Sequence, residues 1–367
     1  MPLSRLKEWG KTTVNGRILS AAVTVGWASL VVRSAEAFTY LFVAYRFGTG
    51  DDVEAFIIAF LVPTFIINIL GSSFSASIIP AFVEVRETAG LEAAQRLLSG
   101  VLFLAGTLAA ALWAMLAITG HWIIPLVGSG FSSEKLVLTR SLFYLLLPAL
   151  FLTGTTRVWA SILNAQEKFA VAALSPMARP LVVIFFLAVF ADPMGIYSLA
   201  IGIVAGSALE AVFLARGITG SGFSPMPRLF VMDRPTRKVL GQFVPMVAGA
   251  FLFGGTELID QAMAAMLDPG AVSALSYGHK VVMFILVVAA GALGTAVFPH
   301  FSRMVALLEW NAIAHTLRTY AVLILVASIP ITLLCYVYSE QLVRIIYERG
   351  AFLNADTRRV AAVQAMY

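Results

Sequence analysis

Residues 50–83, GDDVEAFIIAFLVPTFIINILGSSFSASIIPAFV, have a counterpart at 270–301, GAVSALSYGHKVVMFILVVAAGALGTAVFPHF. Each stretch opens on a glycine, runs apolar for about the 20 residues that cross a bilayer, and carries a second glycine on the way (Gly71, Gly291). Each closes on proline, one intervening residue and phenylalanine: Pro80 and Phe82 in the first, Pro299 and Phe301 in the second. Two further matches keep the same spacing of about 220 residues: Gly130-Phe131 against Gly350-Ala351-Phe352, and Glu36 against Glu257. Ordered matches at one period predict a duplicated bundle. Counting six spans per period, both copies enter the membrane with the same orientation. On this arithmetic Tyr367 falls inside the fourth helix of the second copy, so the expectation is that the rest of that copy lies beyond it.

Composition says that lipid is the solvent. The chain is 60% hydrophobic and only 12% charged over 367 residues, against roughly 25% charged in soluble domains. Backbone groups in hydrocarbon must satisfy one another, and the apolar runs are too long for barrel strands, so the fold class is an all-α polytopic membrane protein. Spans are expected near 18–44, 53–83, 96–118, 136–163, 169–191, 194–216, 239–267, 271–300 and 314–337, with a tenth beginning near 356. The predicted organisation is a cytoplasmic segment 1–17, a six-helix lobe 18–216, a polar and basic linker 217–237, and an incomplete second lobe 238–367, the lobes enclosing a central cavity.

The formal net charge of +5 is distributed as a membrane topology demands and does not suggest nucleic acid. Arg86, Arg96, Lys168, Arg216, Arg228, Arg234, Arg237, Lys238, Arg303 and Arg318 fall in loops on one side, while the other side holds little beyond Arg46, Lys135 and Arg140 before residue 340. That asymmetry predicts a cytoplasmic N-terminus. The basic segment to Arg17 precedes an apolar run too long for a cleaved signal, so the first span is expected to stay attached. A single cysteine, Cys335, excludes a disulfide framework, and no zinc spacing, phosphate loop or nucleophile elbow is present. Enzymatic chemistry and a cofactor are not expected.

Ionisable residues at membrane depth are the candidates for function, since each costs several kcal/mol unless it faces a partner or water. Arg33 and Glu36 are three apart on one helical face, and so are Glu257 and Asp260. Glu54 opens span two, and His279-Lys280 lie in span eight. Arg33 and Glu36 read equally as an internal ion pair. Arg157 and Glu210, near span ends, are expected to snorkel to the interface, and Arg179 before Pro180 either lines the cavity or supports a kink.

Arg46-Phe-Gly-Thr-Gly, Glu54 to Pro63, Ser273 to Tyr277, Ala292 to Ser302 and Ser339 to Phe352 together resemble the signatures of the MurJ/MviN lipid II flippases of the multidrug/oligosaccharidyl-lipid/polysaccharide superfamily. The resemblance covers essentially the whole chain and implies fourteen spans in the family. It implies export of an undecaprenyl-pyrophosphate-linked glycan across the bacterial inner membrane by alternating access. Under it, substrate binding falls to Arg33, Glu54, Lys280 and His279, and ion coupling to Glu36, Glu257 and Asp260. Membrane potential, H+ or Na+ would reset the cycle. The partners implied are the lipid-linked glycan, the bilayer and cell-wall synthesis proteins, with the protein a monomer. Arg33 matches a cavity arginine, Glu54 stands where the family has aspartate, and Lys280 where it has arginine. Thr39, Ile67 and Asn68 stand where further arginines are expected, and Ser72 falls near the position of a glutamate, so the anion site is depleted. Two other readings therefore remain open: an ion-coupled exporter of small amphipathic cations, and a transport-inactive scaffold for glycan-synthesis enzymes.

Overall fold

A computed structural model describes residues 14–227, 233–286, 304 and 310–366. Among them every regular element is helical. Helix α1 spans Val14–Phe47, α2 Asp51–Val127, α3 Ser133–Ala165, α4 Phe169–Leu174, α5 Ala178–Met194, α6 Tyr197–Thr219 and α7 Arg234–Ala264. Helix α8 follows at Ala271–Leu286, α9 at Trp310–Val337, α10 at Ser339–Tyr347 and α11 at Asn354–Gln364. Among the described residues six helical stretches are long and apolar enough to cross a membrane. The later part of the span expected at 271–300, including Gly291 and the Pro299 to Phe301 match, lies outside the described residues, as do the loop residues Arg228 and Arg303 and the chain before Val14.

The long α2 is two spans. Gly90 leaves the helical region (φ 81°, ψ −175°), a conformation only glycine adopts without strain, and the chain turns there. Phe74, Ile78 and Phe82 of the first arm consequently share a core with Leu97, Val101 and Ala105 of the second. Pro63 and Pro80 remain inside continuous helix, as neighbouring helices allow in a membrane bundle. The expected span 169–191 is interrupted by a 3-10 turn at Ser175–Met177, where Pro176 removes a backbone donor.

Of the three hydrophobic cores among the described residues, the two larger ones lie toward opposite ends of the bundle. At the Arg86 end, Phe74 stacks on Phe243 of α7 with ring centroids 4.3 Å apart, and Lys238 pairs with Glu84 at 2.6 Å. At the Gly50 end, Val53, Leu142 and Phe143 join Tyr277, Tyr347 and Phe352 in one apolar cluster, so elements from both sides of the linker meet. Backbone bonds stitch the same place: Ala351 N donates to the Tyr45 carbonyl at 2.8 Å, and the Tyr277 hydroxyl donates to the Gly48 carbonyl at 3.2 Å. Gly48 sits at φ 60° with the Ala351 carbonyl where a Cβ would go, so only glycine permits this approach. By contrast, no described side chain of α9 is buried, which suits a helix whose surroundings are acyl chains.

Candidate functional site: a cavity closed at one end

Between α1, the first arm of α2, α5, α6, α7 and α8 lies a cavity of ≈ 270 Å³. Its wall is mainly apolar and aromatic, with Tyr40, Phe56, Phe60 and Phe65 prominent. The charged side chains on it are Glu36, Arg179, Glu257 and Lys280, two of each sign. Thr64 and Gln261 also line it, and each has a buried oxygen with no hydrogen-bond partner among the described residues.

The cationic groups are held differently. Lys280 extends from α8, donates to the Ser276 hydroxyl at 2.7 Å, and lies over the Tyr40 ring at 4.3 Å from its centroid. It takes part in no ion pair among the described residues; tyrosine's π face meets it directly, and Glu257 is its electrostatic neighbour. Arg179 has a carboxylate behind it: Nη2 donates to Glu210 at 2.8 Å. Glu210 is 6% exposed, so it does not reach the interface as expected from its sequence position; α5 supplies a partner that makes burial cheaper than snorkelling.

The candidate residues thus separate into three places. Glu36, Glu257 and Lys280 line the cavity. Arg33 is outside the lining but pairs with Glu36 at 2.8 Å, and it is the more exposed of the two. Asp260 and His279 are half-buried next to lining residues without belonging to the wall.

Glu54 is the third place. It is 1% exposed and lies at the closed Gly50 end. One carboxylate oxygen accepts from Val272 N at 2.7 Å and from Ser273 N at 3.3 Å, capping the first turn of α8. Those N–H groups have no intrahelical acceptor, and the helix dipole favours a negative charge there. The other oxygen accepts from Lys135 Nζ at 2.5 Å, and the same ammonium reaches Asp51 at 2.6 Å and covers the Phe131 ring at 4.1 Å.

Sequence reasoning treated Lys135 as one of the few basic residues of an exposed loop; it is 8% exposed and central to this cluster. The legible signal was its place in the first turn of α3, on the same end of the bundle as Asp51 and Glu54. Gln261, four residues after Glu257 and hence on the same face of α7, was missed for lack of charge.

The profile of the family described as "Lipid II flippase MurJ" matches residues 43–367. A probable lipid II flippase MurJ of Buchnera aphidicola subsp. Baizongia pistaciae (strain Bp) is 24% identical over 345 residues, covering 92% of this chain and 67% of that protein. A solved structure titled "Lipid II flippase MurJ, inward closed conformation" superposes with a TM-score of 0.81 at 22% identity, covering 94% of this chain and 72% of that one. An inward-facing multidrug resistance MATE family transporter of the MOP superfamily superposes with a TM-score of 0.68 at 13% identity, covering 92% of this chain and 79% of that one. The chain spans about two thirds of the length of the curated relatives it matches. At these identities the structural likenesses carry the fold.

Proposed function

Because the chain belongs to the lipid II flippase MurJ family, a family of membrane transporters and not of enzymes, we propose that it moves an undecaprenyl-pyrophosphate-linked glycan precursor across the bacterial inner membrane. The cargo is lipid II or a related lipid-linked oligosaccharide, delivered for peptidoglycan or surface polysaccharide synthesis. The observation that carries the reading is a cavity with a cation on its wall, sealed at one end by contacts between elements on either side of the linker. Such contacts can part and re-form as two bodies rock, which is what alternating access asks of a gate.

With the N-terminus cytoplasmic, as the loop charges favour, the Gly50 end faces outward and the cavity loads from the inner leaflet. Lys280 supplies a charge-assisted contact to a phosphate oxygen, strengthened by the apolar wall around it. Glu54 acts on the cycle through the gate, by holding α8. Glu36, Glu257 and Asp260 are the acids available to a coupling ion, and the membrane potential adds about 2.3 kcal/mol per 100 mV for each charge moved.

Complementation tests the reading. A host depleted of its own lipid II flippase should grow when given the complete gene, and should fail with Lys280→Ala. No rescue by the intact gene would remove lipid II as cargo. One observation favours a second reading: Tyr40, Phe56, Phe60 and Phe65, with a Glu257 that forms no ion pair among the described residues, would suit a small amphipathic cation. Increased tolerance to such cations in the absence of rescue is the result expected of that alternative.

A further inference from the structure

Arg179 is set into the cavity wall in a way that simple helix pairing does not explain. Its backbone is fixed by close approach of α6, since a Cβ on Gly206 would stand 2.8 Å from the Arg179 Cα. Its Nη2 is tied to Glu210, whose side chain is 8% exposed, while the arginine side chain keeps 29% exposure. Nε is buried with no hydrogen-bond partner among the described residues. A guanidinium serving only to neutralise a carboxylate commonly engages it with two parallel bonds. This one engages Glu210 through a single nitrogen and leaves Nε without a partner among the described residues.

A second guanidinium stands nearby. Arg157 of α3 has Arg179 and Glu210 among its electrostatic neighbours, and it takes part in no ion pair among the described residues. Gly71 makes room for its stem: a Cβ there would lie 3.2 Å from both Cγ and Cδ of Arg157. Glu36 and Arg33 are the remaining electrostatic neighbours of Arg157, so three guanidiniums face two carboxylates, leaving a net charge of one positive unit beside the cavity. Leaving a buried N–H unmatched is unfavourable, and an arriving acceptor would remove that cost.

We infer that Arg179, held by Glu210 and reinforced by Arg157, is a second anion-binding point of the cavity, taking one phosphate of a pyrophosphate group whose other phosphate meets Lys280. The identity of the ligand rests on the flippase reading; the anion site itself does not. Arg179 belongs to the helices before the linker and Lys280 to those after it, so a bound pyrophosphate spans the two.

The test is equilibrium binding to the complete protein in nanodiscs, with undecaprenyl pyrophosphate, undecaprenyl monophosphate and inorganic pyrophosphate as probes. Arg179→Gln should weaken undecaprenyl pyrophosphate binding about tenfold or more, the size of one charge-assisted bond. The paired variant Arg179→Met with Glu210→Met replaces the ion pair by apolar contact that helix packing tolerates. It should unfold at the same temperature as the parent and bind as poorly as Arg179→Gln. Binding equal to the parent in the paired variant would overturn the inference, because Arg179 would then be a structural partner of Glu210 alone. A parent that binds none of the three probes would overturn it also. Competition by inorganic pyrophosphate would support a site that reads the phosphates, and its absence with retained lipid binding would support one that reads the lipid-linked form. Arg179-dependent binding in a protein that moves no lipid II in proteoliposomes would leave the anion site standing and sink the flippase reading.

Discussion

Replacing Glu54 by glutamine and Lys135 by methionine should move the closed Gly50 end in opposite directions. Glu54 bonds to Val272 N and Ser273 N across the gate and to Lys135 Nζ on its own side of the linker. Only the first two bonds must break when the gate opens. A hydrogen bond to a charged group contributes about 1.5–3 kcal/mol and a neutral one about 1 kcal/mol. Glu54→Gln keeps a neutral acceptor over α8, so it should weaken closure by about 1–2 kcal/mol, a shift of about 5–30-fold toward the open form. Lys135→Met strands a buried carboxylate and should lower overall stability by about 3–5 kcal/mol. It also leaves the α8 cap as that carboxylate's principal support, so opening becomes harder. The assay is labelling of Val53→Cys, a position 2% exposed and on the cavity wall, in a Cys335→Ser background, with a membrane-impermeant maleimide. Labelling from the Gly50 side should speed up in Glu54→Gln and slow down in Lys135→Met. Faster labelling in both variants would refute the reasoning, since opening would then require the bond between Glu54 and Lys135 to break.

Three further outcomes follow from the same geometry. Gly130→Ala drives a Cβ into the Ala265 carbonyl at the end of α7, and overpacking of that kind costs about 1–3 kcal/mol; thermal unfolding should fall and the Val53→Cys label should enter faster. Glu348, between α10 and α11, is held below the ordinary carboxylate range first by the Thr357 hydroxyl, which donates at 2.7 Å, and then by Arg344. A depressed carboxylate stabilises above its unfolded value and loses that contribution as pH falls through the folded one, so Thr357→Val should flatten the acid side of a melting-temperature profile below about pH 4.5. Glu257→Gln should remove the dependence of transport on the coupling ion while leaving phosphate-lipid binding intact, as read by flux in proteoliposomes under imposed H+ and Na+ gradients; unchanged ion dependence would take Glu257 out of the coupling step.

Helix positions were legible because the bilayer imposes them. An apolar run must be helical and long enough to cross, so the expected 136–163 and 314–337 fall inside Ser133–Ala165 and Trp310–Val337. The interruption at Ser175–Met177 was not legible as such, because a proline in a membrane helix kinks or stays straight according to neighbours the sequence does not name. Charged residues were legible as exceptions to the apolar rule but not as pairs. Arg179 finds Glu210 31 positions on and Lys135 finds Glu54 81 positions back, and which faces of different helices meet depends on packing that a one-dimensional pattern leaves open.

Pairing also explains why the candidate site reads as depleted in sequence and balanced in space. Arg33 is matched by Glu36 and Arg179 by Glu210, all four before the linker. Lys280 and Glu257, both after it, line the cavity without an ion pair among the described residues. The wall charges outside any ion pair among the described residues therefore both lie after the linker, one of each sign. On the flippase reading, a phosphate that engages Lys280 leaves Glu257 as an uncompensated negative charge in an apolar wall. A cation arriving at Glu257 would relieve that cost, which ties loading of the substrate to loading of the coupling ion through local charge balance alone.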